Sequence, residues 1–131
     1  MKYTLEIQKR LLQVENGNLS PHEKALLLKE AIRIADENDD PQWAVEMRLD
    51  LIYELNLLSQ AEEEIAVFSR ILDDYENNKD LISENDILWK YKWICGAAFD
   101  VPEVSQSQID AILEDFKIRT LRNGYSARAY Y

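Results

Sequence analysis

The sequence predicts an all-α fold, and three observations support that prediction. The 131 residues include only three glycines and three prolines, too few for a protein built from many tight turns. Apolar residues recur every three or four positions, which is the periodicity of amphipathic helices. Helix-start signals precede these apolar segments along the whole chain. We therefore expect about six helices that form three antiparallel hairpins in one domain, residues 1–131.

The predicted helix starts use a capping box, in which a serine lies three residues before an acidic or amide residue. The serine side chain accepts a hydrogen bond from the later backbone N–H, and the later side chain bonds back to the serine N–H. Asp40, which precedes Pro41, is expected to cap a helix without a complete box. Gly17 and Gly124 favour the ends of the first and last helices. The predicted boxes are Ser20–Glu23, Ser59–Glu62, Ser83–Asp86 and Ser105–Gln108.

Apolar stripes in phase with these starts identify the expected core. The first helix, about 4–16, carries Ile7, Leu11 and Val14, and the next two are expected over about 21–37 and from Pro41 to about Leu55. Agreement between caps and stripes is stronger support than either signal alone. The fourth, fifth and sixth helices contribute the stripes Ala61, Ile65, Phe68, Leu72 and Tyr75; Ile87, Leu88, Tyr91, Ile94, Cys95, Ala98 and Phe99; and Ile109, Ile112, Leu113, Phe116 and Leu121.

The segment "ILWKYKWIC", residues 87–95, alternates aromatic residues with lysines as a half-buried strand would. It lies, however, within about 16 residues that contain no helix breaker, a length that strands rarely reach. No other segment alternates in twos, so a strand here would lack a partner. We therefore predict a helix.

Residues 41–78 resemble the tetratricopeptide repeat superfamily in a degenerate form. Leu49 and Tyr53 match its leucine and tyrosine in a first helix, and Ala61, Ile65 and Phe68 lie close to its alanine and aromatic positions in a second. The segment "KEAIRIADENDDP", residues 29–41, resembles the end of one repeat and the beginning of the next. The resemblance implies a right-handed α-solenoid fragment in which the first helices of successive hairpins line a concave groove. A compact six-helix bundle is the alternative fold.

Net charge and composition limit the classes of partner. The chain carries a net charge of −10, and residues 1–80 hold 18 acidic against 9 basic side chains. This acidity repels phosphate backbones and argues against nucleic-acid binding. The longest apolar run, residues 94–99, is far shorter than a membrane helix. The single cysteine, Cys95, and an N-terminus without an apolar run favour a cytoplasmic protein.

Two helical wheels leave aromatic and acidic residues outside the expected core. They indicate a surface for a basic or amphipathic protein or peptide. The alternatives are tryptophans sandwiched between neighbouring helices, and a merely solvated polar face on which Trp43 covers a helix end. The candidate partner-binding residues are Trp43, Glu46, Asp50, Tyr53 and Glu54 in the third helix, with Trp89 and Trp93 in the fifth, beside Lys90, Gly96 and Ala97.

The sequence offers no catalytic or metal-binding constellation. His22 is the single histidine and is expected to face solvent, and the acidic run at residues 62–64 is expected to lie on a solvated helix face. We therefore predict a non-enzymatic interaction module without a cofactor. The alternative is an acidic helical regulator or inhibitor that acts by charge complementarity. A further alternative is self-association, either through the tryptophans of the fifth helix or through the basic residues Lys117, Arg119, Arg122 and Arg128, although cations near a helix C-terminus are favourable in themselves.

Overall fold

The computed structural model describes residues 2–122, and this part of the chain confirms the all-α prediction. It contains six helices and no strand, and each helix packs against the next along the chain. The first helix of the second hairpin also contacts the first helix of the third. The helices are α1 Lys2–Asn16, α2 Pro21–Glu37, α3 Pro41–Leu57, α4 Ala61–Asn77, α5 Glu84–Ala98 and α6 Gln106–Arg122.

Most predicted caps form, and one does not. The Ser20–Glu23 and Ser105–Gln108 boxes are complete, with hydrogen bonds in both directions. Asp40 accepts a hydrogen bond from the backbone N–H of Trp43, and Ser83 accepts one from Asp86. The prediction for Ser59 was wrong, because Gln60 is the N-cap of α4 and makes no side-chain capping bond. The predicted stop at Gly124 lies outside the described residues.

Ser59 is not a cap because it serves to end the preceding helix. Its φ of 56° lies in the left-handed region, and Asp39 has a φ of 51° in the corresponding position after α2. In both links the next backbone N–H returns to the helix, from Asp40 to Ala35 and from Gln60 to Leu55. This is the Schellman arrangement that satisfies the last carbonyls of a helix. The same turn therefore connects α2 to α3 and α3 to α4.

Most of the buried apolar side chains of residues 2–122 form two clusters that share α3. We call them the α1–α3 core and the α3–α6 core. Because Met47 and Leu51 point to one cluster while Val45 and Ile52 point to the other, α3 is apolar on two sides. The α1–α3 core contains Ile7, Ala25, Leu28, Ala31, Ile32, Ala35, Ala44, Met47, Leu51 and Leu55; the α3–α6 core contains Val45, Ile52, Phe68, Ile71, Tyr75, Leu81, Ile87, Leu88, Tyr91, Ile94, Cys95 and Phe116.

Two core assignments at the last two helices were wrong. Phe99 and Leu121 were expected in the core, but they are 60% and 56% exposed. Phe99 follows the last residue of α5 as its C-cap, and Leu121 lies in the last turn of α6. The apolar periodicity of a sequence continues past the residue at which a neighbouring helix ends. Burial predicted from that periodicity is therefore least reliable at helix ends. Ala97, which the wheel placed beside the tryptophans, is buried, as the sandwiched alternative expects.

The basic residues near the end of α6 form ion pairs within the chain. Arg119 contacts Glu76 at 3.0 Å, Glu84 at 3.3 Å and Asp115 at 2.9 Å. Arg122 contacts Glu84 at 2.7 Å. These cations therefore connect α6 to α4 and to the start of α5. Arg128, the remaining arginine of the predicted basic end, lies outside the described residues.

Among residues 2–122, none of the helices combines the length and the apolar character that crossing a bilayer requires.

Candidate functional site

The helices α3 and α5 bring Tyr53 and Trp93 together. Their ring centroids lie 5.7 Å apart, with planes tilted by 40°. Trp93 is partly buried and packs against the α3–α6 core, whereas Tyr53 is 46% exposed. Tilted rings at this separation attract each other through their quadrupoles. The contact therefore fixes an aromatic platform where two helices that are distant in sequence meet.

Lys90 lies over this platform. Its Nζ is 4.6 Å from the centroid of the Trp93 ring and 5.9 Å from that of the Tyr53 ring. Both distances are within the range of cation–π attraction. Burial lowers the pKa of the Lys90 ammonium, and the negative charges of Asp50 and Glu64 oppose that shift. The platform thus holds one cation already, supplied by the chain itself.

Acidic side chains also lie near Lys90. Partial desolvation raises the pKa of the Asp50 carboxyl, although the residue as a whole is exposed. The positive charge of Lys90 opposes this rise, while the negative charges of Glu46 and Glu15 add to it. These carboxylates attract positive charge over several ångströms. The electrostatic environment near Lys90 therefore favours a cationic partner. We call Glu46, Asp50, Tyr53, Trp89, Lys90 and Trp93 the α3–α5 face.

Trp89 extends the face by one helical turn before Trp93. Its side chain is 49% exposed, and the Nζ of Lys92 lies 4.9 Å from the centroid of its ring. A half-exposed tryptophan carries a large apolar surface that water covers at a free-energy cost. Together with Tyr53 it gives the face two aromatic side chains that a partner can reach.

Two of the seven predicted site residues are not open to a partner as expected. Trp43 is partly buried and packs against the α1–α3 core. Glu54 is only 6% exposed, and its Oε2 has no hydrogen-bond partner among the described residues. The wheel assigned both to a solvent face because it treated α3 as apolar on one side only. Since α3 is packed on two sides, little of its surface remains for a partner.

Sequence reasoning also missed Glu64, which is 1% exposed rather than solvated. Its Oε2 accepts a hydrogen bond of 3.5 Å from the Asn56 side chain. Burial raises the pKa of the Glu64 carboxyl and the charge of Asp100 adds to the rise, whereas the Asn56 bond and the charge of Lys90 oppose it. The two preceding glutamates are at least partly exposed. The acidic run at residues 62–64 therefore gave no indication that Glu64 is buried.

A separate apolar pocket of about 440 Å³ lies at the α1–α2 link. Leucines dominate its lining, and it shares no lining residue with the α3–α5 face. Binding sites combine apolar walls with a few convergent polar groups. The α3–α5 face meets that description better, because aromatic rings and several charges converge there. Among residues 2–122, no group of three or more His, Cys, Asp or Glu side chains is arranged to hold a metal ion.

The fold and the site together define an all-α protein in which consecutive helices pack and two helices present an aromatic, charged face. No family model, curated protein or solved structure matches the chain. The geometry and charge of the face are therefore the basis for assigning a function.

Proposed function

We propose that the chain is a protein-interaction module that binds a basic or amphipathic peptide segment on the α3–α5 face. The observation that carries the proposal is the Tyr53–Trp93 contact, which has Lys90 over the rings and Asp50 beside them. Lys90 serves as an internal example of the contact that a basic partner would make. The proposal includes the tetratricopeptide-like architecture, in which such a face would lie in a concave groove.

The partner is expected to be basic because of charge complementarity. The net charge of the chain is −10, and the charges of Glu46 and Asp50 act at the face itself. Complementary charge speeds encounter and selects partners, while buried aromatic anchors supply most of the affinity. Trp89 and Tyr53 are the proposed anchors. We further propose that the module has no enzymatic activity and works in the cytoplasm.

The experiment is selection from a phage-displayed library of random peptides of about 12 residues, a length that spans one helix face. We expect the selected peptides to combine arginine or lysine with large apolar residues. Trp89→Ala and Tyr53→Ala should each weaken a selected peptide by about 30-fold, the effect of losing an interface anchor. Ile118→Ala is the matched control, since Ile118 is also about half exposed but lies on α6. Failure to select basic peptides, or equal affinity in all three variants, would contradict the proposal.

Salt dependence separates this function from that of an acidic regulator. An interaction that depends on charge alone should weaken steeply between about 50 and 300 mM salt, because the Debye length shortens over that range. An interaction anchored by Trp89 and Tyr53 should keep most of its affinity. A steep loss together with no effect of Trp89→Ala would favour the acidic regulator instead.

A further inference from the structure

A polar pocket of about 380 Å³ opens beside the α3–α5 face. It lies between the end of α3, the start of α4 and the end of α5, and it shares Trp93 with the face. This volume is within the range of small-molecule and side-chain sites. The lining residues are Asn56, Ser59, Ala61, Glu64, Trp93, Gly96, Ala97 and Asp100.

The most buried polar group in this lining is the Glu64 carboxylate. It is 1% exposed, and its one side-chain hydrogen bond within residues 2–122 is the long contact of 3.5 Å from Asn56. None of the ion pairs within 4.0 Å in this part of the chain includes Glu64. Two carboxylate oxygens can accept about four hydrogen bonds. The carboxylate therefore lines the pocket with most of its hydrogen-bonding capacity unused.

Gly96 leaves open space on the α5 side of the pocket. A Cβ atom built at this position would have no heavy atom within 4 Å, apart from the helix's own backbone and the adjacent residues. Trp93 lies three residues earlier on α5 and lines the same pocket, and Asp100 is a second acidic residue in the lining. The pocket thus combines an aromatic surface, two acidic groups and one amide around free space.

We propose that this pocket binds the guanidinium group of an arginine side chain from the partner peptide. A guanidinium is planar, carries five N–H donors and stacks on aromatic rings, so it matches carboxylates beside an indole. Lysine matches less well, because its strongly hydrated ammonium offers three donors and no plane to stack. The proposal rests on the function proposed above, because the same peptide would contact the α3–α5 face through the shared Trp93.

The test uses small probes, so that it does not depend on having a peptide partner. ¹⁵N-labelled protein is titrated with N-acetylarginine amide, and the Gly96 amide and Trp93 indole signals are followed by NMR. We expect these signals to shift with a Kd on the order of 10 mM, as suits a fragment of this size. N-acetylcitrulline amide, which has the same shape without the charge, should not shift them, and N-acetyllysine amide should bind several-fold more weakly.

Three variants locate the binding. Gly96→Leu should fill the open space and abolish the shift of the Trp93 indole signal, whereas Gly96→Ala adds only a Cβ without a clash and should keep that shift. Glu64→Gln should weaken the arginine probe by about tenfold or more, as expected for loss of a charge-assisted contact. Its unfolding midpoint in urea should not fall below that of the wild type, so that lost binding cannot be attributed to unfolding.

The outcomes distinguish this inference from the function on which it rests. If selected peptides bind the α3–α5 face but N-acetylarginine amide does not shift Gly96, the arginine pocket is wrong and the interaction module stands. If the arginine probe binds in the pocket but no peptide is selected, the proposed function is wrong. Equal shifts with citrulline, equal affinity for lysine, or undiminished binding by Gly96→Leu would each overturn the guanidinium assignment.

Discussion

The rings of Tyr53 and Trp93 meet at a centroid distance of 5.7 Å and link α3 to α5, two helices that α4 separates along the chain. We predict that this contact contributes a coupling energy of about 0.5–1.5 kcal/mol to stability, as tilted aromatic pairs do. A double-mutant cycle with Tyr53→Ala and Trp93→Ala, followed by urea denaturation, measures it. A control cycle combines Tyr53→Ala with Trp89→Ala, and we expect a smaller coupling energy in that cycle. Equal coupling in the two cycles would show that the ring contact has no special role.

Glu64 is expected to make stability depend on pH. Because burial raises its pKa above the ordinary value of 4.5, the folded chain keeps this proton at pH values where the unfolded chain has lost it. Its contribution is therefore most favourable below pH 4.5 and is lost as pH rises through the folded pKa. Glu64→Gln should be more stable than the wild type at pH 7, and the difference should shrink on acidification toward pH 4.5.

Urea denaturation at several pH values tests this expectation. Glu62→Gln is the control, because Glu62 is exposed in the same first turn of α4 and should show little change with pH. A Glu64→Gln variant that is less stable than the wild type at pH 7 would mean that nearby charges more than offset the burial of the carboxylate.

Tyr91 connects α5 to α6 through a partly buried hydrogen bond. Its hydroxyl donates to the Asp115 carboxylate at 2.7 Å, and its ring packs between Phe68 and Phe116. Tyr91→Phe keeps the ring contacts and removes the bond, so it should lower the free energy of unfolding by about 1.5–3 kcal/mol, the range for a bond to a charged group. Thermal and urea unfolding measure the loss. An unchanged midpoint would indicate that Arg119, which also contacts Asp115, satisfies that carboxylate alone.

Ser59 has a positive φ of 56° that disfavours any residue with a Cβ. Ser59→Gly should raise the free energy of unfolding by about 1 kcal/mol, because glycine adopts the left-handed conformation without that penalty. Ser69→Gly is the matched control on the exposed surface of α4, where glycine should lower stability by about 0.5 kcal/mol. If both substitutions destabilise to the same degree, the turn after α3 is not strained.

Cys95 is expected to resist modification while the chain is folded. It is 7% exposed, and burial raises the pKa of its thiol to about 11. Thiolates are the reactive form, so reaction with a disulfide reagent near pH 8 should be about 100-fold slower than in denaturant. Equal rates in the folded and unfolded chain would contradict the burial of this residue.

Much of the local structure could be predicted from the sequence, since it depends on neighbours within a few residues. The periodicity of apolar residues identified all six described helices, and the Ser20 and Ser105 boxes form as predicted. The alternation in residues 87–95 did not mislead, because the length of the uninterrupted segment excluded a strand. The capping prediction for Ser59 was wrong because a serine between two helices can either cap the next helix or end the preceding one. Only the path of the chain decides between them.

The candidate site could be predicted only in part. The wheel of α5 placed Trp89, Lys90 and Trp93 on one side, and the structure brings Lys90 over the Trp93 ring. It could not reveal that Tyr53 meets Trp93, since residues 40 apart are brought together by packing through α4. Glu54 and Glu64 were assigned to solvent because charged residues are rarely buried. Their burial depends on the helices that lie against them.

The sequence by itself determined which segments are helical, where most of them begin and the acidic character of the chain. Helices and their caps depend on hydrogen bonds and side-chain contacts between residues three or four positions apart, so the local sequence is sufficient to predict them. The tertiary structure alone decided which helix sides are covered, because burial depends on neighbours that are remote along the chain. Packing of α3 on two sides is the physical reason that Trp43 and Glu54 left the predicted surface. The same packing joined Tyr53, Lys90 and Trp93 into one face.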